Sequence, residues 1–165
     1  MDDTIRQLAA ALGQQLKIRG LQLALAESCT GGGIAQAVTD IAGCSDWFDR
    51  GFVTYSNASK IELLGVSADT LARFGAVSRE TALAMVAGAL NRSVADLAIA
   101  VTGIAGPDGG TPAKPVGTVF IAWQRRGDDG CCLKCQFDGD RHAVREQTIQ
   151  YALHHAIAFL LQTPA

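Results

Sequence analysis

Two short apolar runs constrain this chain most. Leu21 to Ala26 and Leu97 to Val101 are each about the length of one strand, and the second is continuously apolar. A strand with no polar alternation is covered on both faces, which places Leu97–Val101 at the centre of a sheet with helices above and below. Amphipathic helical patterns lie between and around these runs. Ile5, Leu8, Leu12 and Leu16 recur at helical spacing, and Gly20 closes the turn after them. Further helices are expected from Gly33 to about Ile41 and from Ala58 to Leu64 after caps at Ser56 and Asn57. Ser67 caps a helix to about Phe74. Ser78 caps another over Arg79–Asn91, with Ala82, Met85, Val86, Ala89 and Leu90 as its buried stripe. Phe48–Tyr55 and Val116–Trp123 read as strands, and Cys131–Phe137 returns after a hairpin turn at Arg125–Gly130. A last long helix follows Asp138-Gly139-Asp140, with Ile149, Ala152, Leu153, Ala156 and Leu160 facing the core. The expected fold is α/β: a three-layer α/β/α sandwich with a mixed, mostly parallel sheet of about five strands and one antiparallel hairpin.

The chain of 165 residues fits one domain, residues 1–165. Hydrophobic residues make up 48% and charged residues 18%, which argues against disorder. A formal net charge of −2 offers no basic field for a nucleic-acid backbone. No run is long enough to span a membrane, and Met1-Asp2-Asp3-Thr4 is too acidic to begin a signal peptide, so a cytoplasmic protein is expected. The 5 cysteines are odd in number and predict no disulfide framework. Cys132 and Cys135 have metal-site spacing, but on a strand they point to opposite faces and read as small hydrophobes.

Chemistry concentrates where strands hand over to helices or loops. In α/β sheets, ligands bind outside the carboxyl ends of strands. Three unusual segments follow strands and are expected to converge there: Glu27–Gly33, Ser56–Lys60 and Thr102–Gly110. The first carries Ser28, Cys29 and Thr30, followed by Gly31, Gly32 and Gly33. A strand-to-helix turn gathers backbone N–H groups and the positive end of a helix dipole, so a nucleophile and an oxyanion pocket fit in one turn. Ser28 needs a base. The three histidines, His142, His154 and His155, all fall in the last helix. The latter two read as half-buried packing residues and the first as a surface residue. Cys29 with His142 is the competing pair, and two neighbours on a tight turn are not expected to share one pocket.

Lys60 is a base of another kind, since burial or nearby positive charge lowers a lysine's pKa and leaves a neutral amine. Tyr55, at the end of the preceding strand, is placed to relay the proton or orient the amine. Taken alone, such a lysine is a solvated face residue and such a tyrosine an amphipathic edge residue. Arg141, after Gly139-Asp140, opposes the helix dipole. It reads either as a phosphate or carboxylate contact or as an ion pair with Asp138 or Asp140. Thr102 and Gly103 end an apolar strand and offer hydroxyl and backbone contacts. The glycine-rich loop beyond them lacks a Walker A lysine, and the glycines after Ser28 do not match the dinucleotide fingerprint.

Five motifs in order carry a family resemblance: Ala26-Glu27-Ser28-Cys29-Thr30-Gly31-Gly32, Gly51-Phe52-Val53-Thr54-Tyr55-Ser56-Asn57 with Lys60, Thr102-Gly103-Ile104-Ala105-Gly106-Pro107-Asp108-Gly109-Gly110, Lys114-Pro115-Val116-Gly117-Thr118-Val119, and Gly139-Asp140-Arg141. Together they resemble the CinA C-terminal domain family over about Ile5 to Leu161. The resemblance implies a hydrolase that converts nicotinamide mononucleotide and water to nicotinate mononucleotide and ammonia, in pyridine nucleotide recycling. It implies Ser28 as nucleophile, Lys60 as general base and Tyr55 as assistant, with no metal or organic cofactor and a homodimeric assembly. Thr30, Gly31 and Gly32 are then expected to hold the oxyanion through their amides. Asn57, Thr102, Gly103 and Arg141 are expected to hold substrate, with Arg141 on the phosphate. The rival reading is a non-catalytic nucleotide- or partner-binding domain that keeps the pocket. Another small carboxamide is an alternative substrate.

Overall fold

A computed structural model describes residues 2–162. The elements in chain order are α1 (Asp3–Arg19), β1 (Leu23–Glu27), α2 (Gly33–Thr39), a single 3-10 turn (Cys44–Asp46), β2 (Phe48–Val53), α3 (Asn57–Leu64), α4 (Ala68–Phe74), α5 (Arg79–Asn91), β3 (Leu97–Gly103), β4 (Thr118–Arg125), β5 (Cys131–Gln136) and α6 (Arg141–Gln162). The five strands form one mixed sheet in the order β2-β1-β3-β4-β5. β1 pairs in parallel with both β2 and β3, while β4 is antiparallel to β3 and to β5. β4 alone therefore runs against the other strands. The α/β sandwich expected from the interleaved pattern is the one found.

The sheet's two faces are written in the alternation of its inner strands. Leu23, Leu25, Leu97, Ile99, Val101, Val119 and Ile121 point to one face and pack with α1, α2 and α6. Ala24, Ala26, Ala98, Ala100 and Ala122 point to the other, against the stripe of α5. Alternate strand residues face opposite sides, so Leu-Ala-Leu-Ala gives one bulky and one flat surface. The flat surface leaves room for α5 to lie close. At Gly88 of α5, an added Cβ would run into the Leu64 carbonyl at the end of α3. Cys132 belongs to the α5 cluster and Cys135 to the α6 cluster, so this pair straddles the sheet.

Side-chain caps set the middle helices. Ser56, Ser67 and Ser78 each accept from a backbone N–H three residues on, as their positions predict. The sequence reading misplaced some ends. β1 extends to Glu27, and β2 ends at Val53 rather than Tyr55, since Thr54 and Tyr55 turn toward α3. Thr102 and Gly103 end β3, as the apolar run suggests, and the long loop begins after them. His154 is exposed rather than half-buried, whereas His155 stacks on Tyr151 with ring centroids 3.8 Å apart. Among the described residues, no helix is long and apolar enough to cross a membrane.

Candidate active site

The parallel pairing of β2, β1 and β3 brings three chain segments together. Glu27 lies opposite both Val53 and Val101, so β1 and β2 end level and β3 runs two residues beyond them at the same edge of the sheet. The Thr54 N–H donates to the Glu27 carbonyl at 2.8 Å, and the Ser28 N–H donates to the Val101 carbonyl at 3.1 Å. These bonds carry the pairing one residue past β1 and fix where Ser28 leaves it.

The turn after β1 is then held from inside. Gly31 and Gly32 adopt φ of 58° and 93°, a region open chiefly to glycine. Gly32 is the N-cap of α2 and has no side chain to receive the first amides of that helix. Glu27 supplies the missing acceptor. Its buried carboxylate accepts from Ile34 N at 3.0 Å, Ala35 N at 2.8 Å and the Thr30 hydroxyl at 2.6 Å. Glu27 was not among the expected site residues. A carboxylate just before a glycine-capped helix was the signal that was available.

Lys60 reaches into the same place from the first turn of α3. Its side chain is 1% exposed, and Nζ lies 3.0 Å from Ser28 Oγ. Nζ also donates to the Thr54 carbonyl at 2.8 Å and the Tyr55 carbonyl at 3.3 Å. Two carbonyls and the Ser28 hydroxyl oxygen match the three donors of an ammonium, and in the neutral amine the lone pair takes the place of one donor and faces the hydroxyl proton. Burial lowers the lysine pKa from its ordinary 10.5, opposed by the smaller influence of Cys29. Among the described residues, no carboxylate forms an ion pair with Lys60.

Cys29 is buried beside Ser28, and burial pushes its thiol up to about 12. Ser28 and Cys29 line the same cavity of about 170 Å³, contrary to the expectation that only one would face it. The hydrogen bond to Lys60 separates them, not their position. His142 is exposed, bonds to Glu146 at 3.3 Å and does not line this cavity.

Tyr55, Thr102, Gly103 and Arg141 also line the cavity, together with Ala76, Val77 and Ala105. The Thr102 hydroxyl donates to the Ala76 carbonyl at 2.8 Å, which fixes that wall. Lys114 fixes it from the other side, donating to the Val77 carbonyl at 2.6 Å and the Phe74 carbonyl at 3.2 Å. Ala76 and Val77 carry no chemical signature in sequence and were not foreseen.

Four expected contacts fall elsewhere. Thr30, Gly31 and Gly32 do not line the cavity. The Gly31 N–H closes the turn on the Ser28 carbonyl at 3.0 Å and is not available to an oxyanion. Thr30 is fully buried with its hydroxyl on Glu27. Asn57 starts α3 in an exposed position, outside the cavity wall. The Tyr55 hydroxyl is bonded to Arg141 at 2.9 Å rather than to Ser28 or Lys60, so Tyr55 orients the amine through its carbonyl. Arg141 also donates to the Gly106 carbonyl at 2.8 Å. It makes no ion pair with Asp140, whose carboxylate instead caps α6 at the Ala143 N–H. Among the described residues, no group of three or more His, Cys, Asp or Glu side chains is gathered to hold a metal ion.

The arrangement can activate a serine hydroxyl by a buried amine next to a pocket the size of a small planar ring. Known proteins are similar to this chain in sequence and in fold. The CinA C-terminal domain family matches residues 5–160. The nicotinamide-nucleotide amidohydrolase PncC of Escherichia coli strain K12 is 51% identical over 152 residues, covering 92% of each chain. The protein of the same name from Pseudomonas putida is 54% identical over 153 residues, covering 92% of this chain and 94% of its own. The crystal structure of the competence/damage inducible protein CihA from Agrobacterium tumefaciens superposes with a TM-score of 0.93 at 48% identity, covering 96% of each chain. The chain belongs to the CinA C-terminal domain family.

Proposed function

We propose that this protein is a nicotinamide-nucleotide amidohydrolase that works through a serine-lysine acyl-enzyme mechanism. The observation that carries the mechanism is the 3.0 Å approach of Lys60 Nζ to Ser28 Oγ within a cavity of about 170 Å³. The substrate assignment is supported by the relatives' names and by Arg141, which lines the same cavity as Ser28 and offers a cation to the phosphate. In the first half-reaction, Ser28 Oγ attacks the carboxamide carbon and its proton passes to the Lys60 lone pair. The tetrahedral adduct then collapses. The C–N bond breaks, and Lys60 returns the proton to the departing ammonia. In the second half-reaction, water attacks the resulting ester, with Lys60 again taking a proton, and releases nicotinate mononucleotide and free Ser28. The Thr54 and Tyr55 carbonyls aim the amine throughout. Arg141 exchanges its present acceptors for the phosphate. In this reading the protein acts in the cytoplasm as a homodimer.

The purified protein, given nicotinamide mononucleotide in chelator-containing buffer, is expected to release one ammonia per nicotinate mononucleotide formed. Ser28→Ala is expected to lose on the order of 10⁴-fold or more in kcat. Binding of the mononucleotide without turnover by the wild type would instead support a non-catalytic nucleotide-binding domain. Turnover of other carboxamides at equal efficiency would remove the substrate assignment and keep the chemistry.

A further inference from the structure

Arg145 is a cation to which the proposed chemistry gives no role. It lies one turn beyond Arg141 on α6, so the two guanidinium groups leave the same helix face. Arg145 Nη2 donates to the Thr30 carbonyl at 2.9 Å, inside the turn that carries Ser28. A guanidinium has five N–H donors, so this bond leaves others available. Among the described residues, neither arginine has a carboxylate partner: Asp140 caps the helix, and Glu146 turns to His142. Both arginines line a second cavity of about 650 Å³ with Pro107, Val116, Gly139, His142 and Asp140, whose carboxylate is engaged by the Ala143 N–H, and its wall at Ala105 and Arg141 is shared with the Ser28 cavity. Two unpaired cations four residues apart near a helix N-terminus repel each other and the helix dipole. An anion between them removes both penalties.

We propose that Arg145 is a second anion contact and a specificity-determining residue of the substrate site. One nitrogen stays on the Thr30 carbonyl, and others bond to phosphoryl oxygens of a phosphorylated ribosyl carboxamide. This rests on the amidase reading and extends it: the enzyme selects the mononucleotide over the dephosphorylated riboside through a residue bonded to the nucleophile's own turn. A lysine cannot replace it fully, because one ammonium lacks the planar fork that serves two acceptors at fixed angles.

The test uses the intact protein as wild type, Arg145→Gln and Arg145→Lys, with two readouts. Calorimetry measures binding of ribose 5-phosphate, which carries the anion and no carboxamide. Ammonia release gives kcat/KM for nicotinamide mononucleotide and for nicotinamide riboside. Arg145→Gln is expected to weaken ribose 5-phosphate binding on the order of 10- to 100-fold and to lower the mononucleotide-to-riboside ratio by a similar factor. Arg145→Lys is expected to recover part of both. A purely structural role lowers the two kcat/KM values together and leaves the ratio within about twofold, which overturns the proposal. Undetectable ribose 5-phosphate binding by the wild type also overturns it. Failure of the amidase reading looks different: the wild type releases ammonia from neither carboxamide, and the effect of Arg145→Gln on ribose 5-phosphate binding still decides the role of Arg145.

Discussion

The two strand-to-helix junctions that meet at the cavity are built in opposite ways. The turn after β1 is held from inside by its own buried Glu27 carboxylate and from across the molecule by the Val101 carbonyl of β3 and the Arg145 guanidinium of α6. From Glu27 to Thr30 it is buried throughout. The junction after β2 is tied to the rest of the molecule only before its helix begins, by Thr54 on Glu27 and Tyr55 on Arg141, and the helix start itself is capped locally. Ser56 and Ser59 exchange capping bonds of 3.1 and 3.2 Å, and the surrounding residues are exposed except Thr54, Lys60 and the half-buried Ser59. The nucleophile is thus fixed by a buried carboxylate and long-range bonds, while the base is delivered by an exposed, serine-capped helix start that buries a single long side chain. Damage to the first junction should reach both stability and chemistry. Damage to the second should separate them.

Lys60 gives the largest separation. Lys60→Met keeps an unbranched, buried side chain and removes the base, so kcat should fall by on the order of 10³-fold. Stability should move the other way at neutral pH. Burial lowers the folded-state pKa, so between that value and the unfolded 10.5 the unfolded chain binds a proton that the folded chain does not. Wild-type stability therefore falls as pH drops through that window, and Lys60→Met should abolish this dependence in denaturant titrations at several pH values. The same sign governs catalysis. Wild-type kcat should rise with pH along a limb set by the neutral amine and centred below 10.5.

Glu27→Ala tests the first junction. It leaves the Ile34 and Ala35 amides and the Thr30 hydroxyl without their acceptor, at a cost of about 3 kcal/mol in unfolding free energy. Misplacement of Ser28 should lower kcat by roughly 100-fold as well. Ser56→Ala is the matching change at the second junction. It removes one local cap, costs about 1 kcal/mol, and should change kcat much less than Glu27→Ala does. Equal kinetic losses in the two variants would erase the contrast between a buried and an exposed support.

The contrast also explains what was legible in the sequence. Local devices announce themselves: Ser56, Ser67 and Ser78 mark helix starts by type and position, and the Leu-Ala alternation of β1 and β3 marks both sheet faces. Long-range devices do not. Nothing in the spacing of Ser28 and Lys60 places them 3.0 Å apart; the register of Glu27 against Val53 does. Arg141 offered either an ion pair or a ligand contact, and only the capping use of Asp140 shows that the ion pair is not made. The oxyanion expectation for Gly31 followed from turn type, whereas its amide closes the turn on Ser28. Ala76 and Val77 wall the cavity in a segment whose carbonyls are held by Thr102 and Lys114, a role almost independent of their side chains.

Two potential nucleophiles share one cavity, so the central claim is best tested by finding which of them carries the acyl group. The protein is mixed with nicotinamide mononucleotide, quenched in acid within the first turnovers, digested and analysed by mass spectrometry. The account predicts the substrate's acyl group, ribose phosphate included, as an ester on the Ser28 side chain, with Cys29→Ala still forming it. An acyl thioester on Cys29, or undiminished ammonia release by Ser28→Ala, would contradict it.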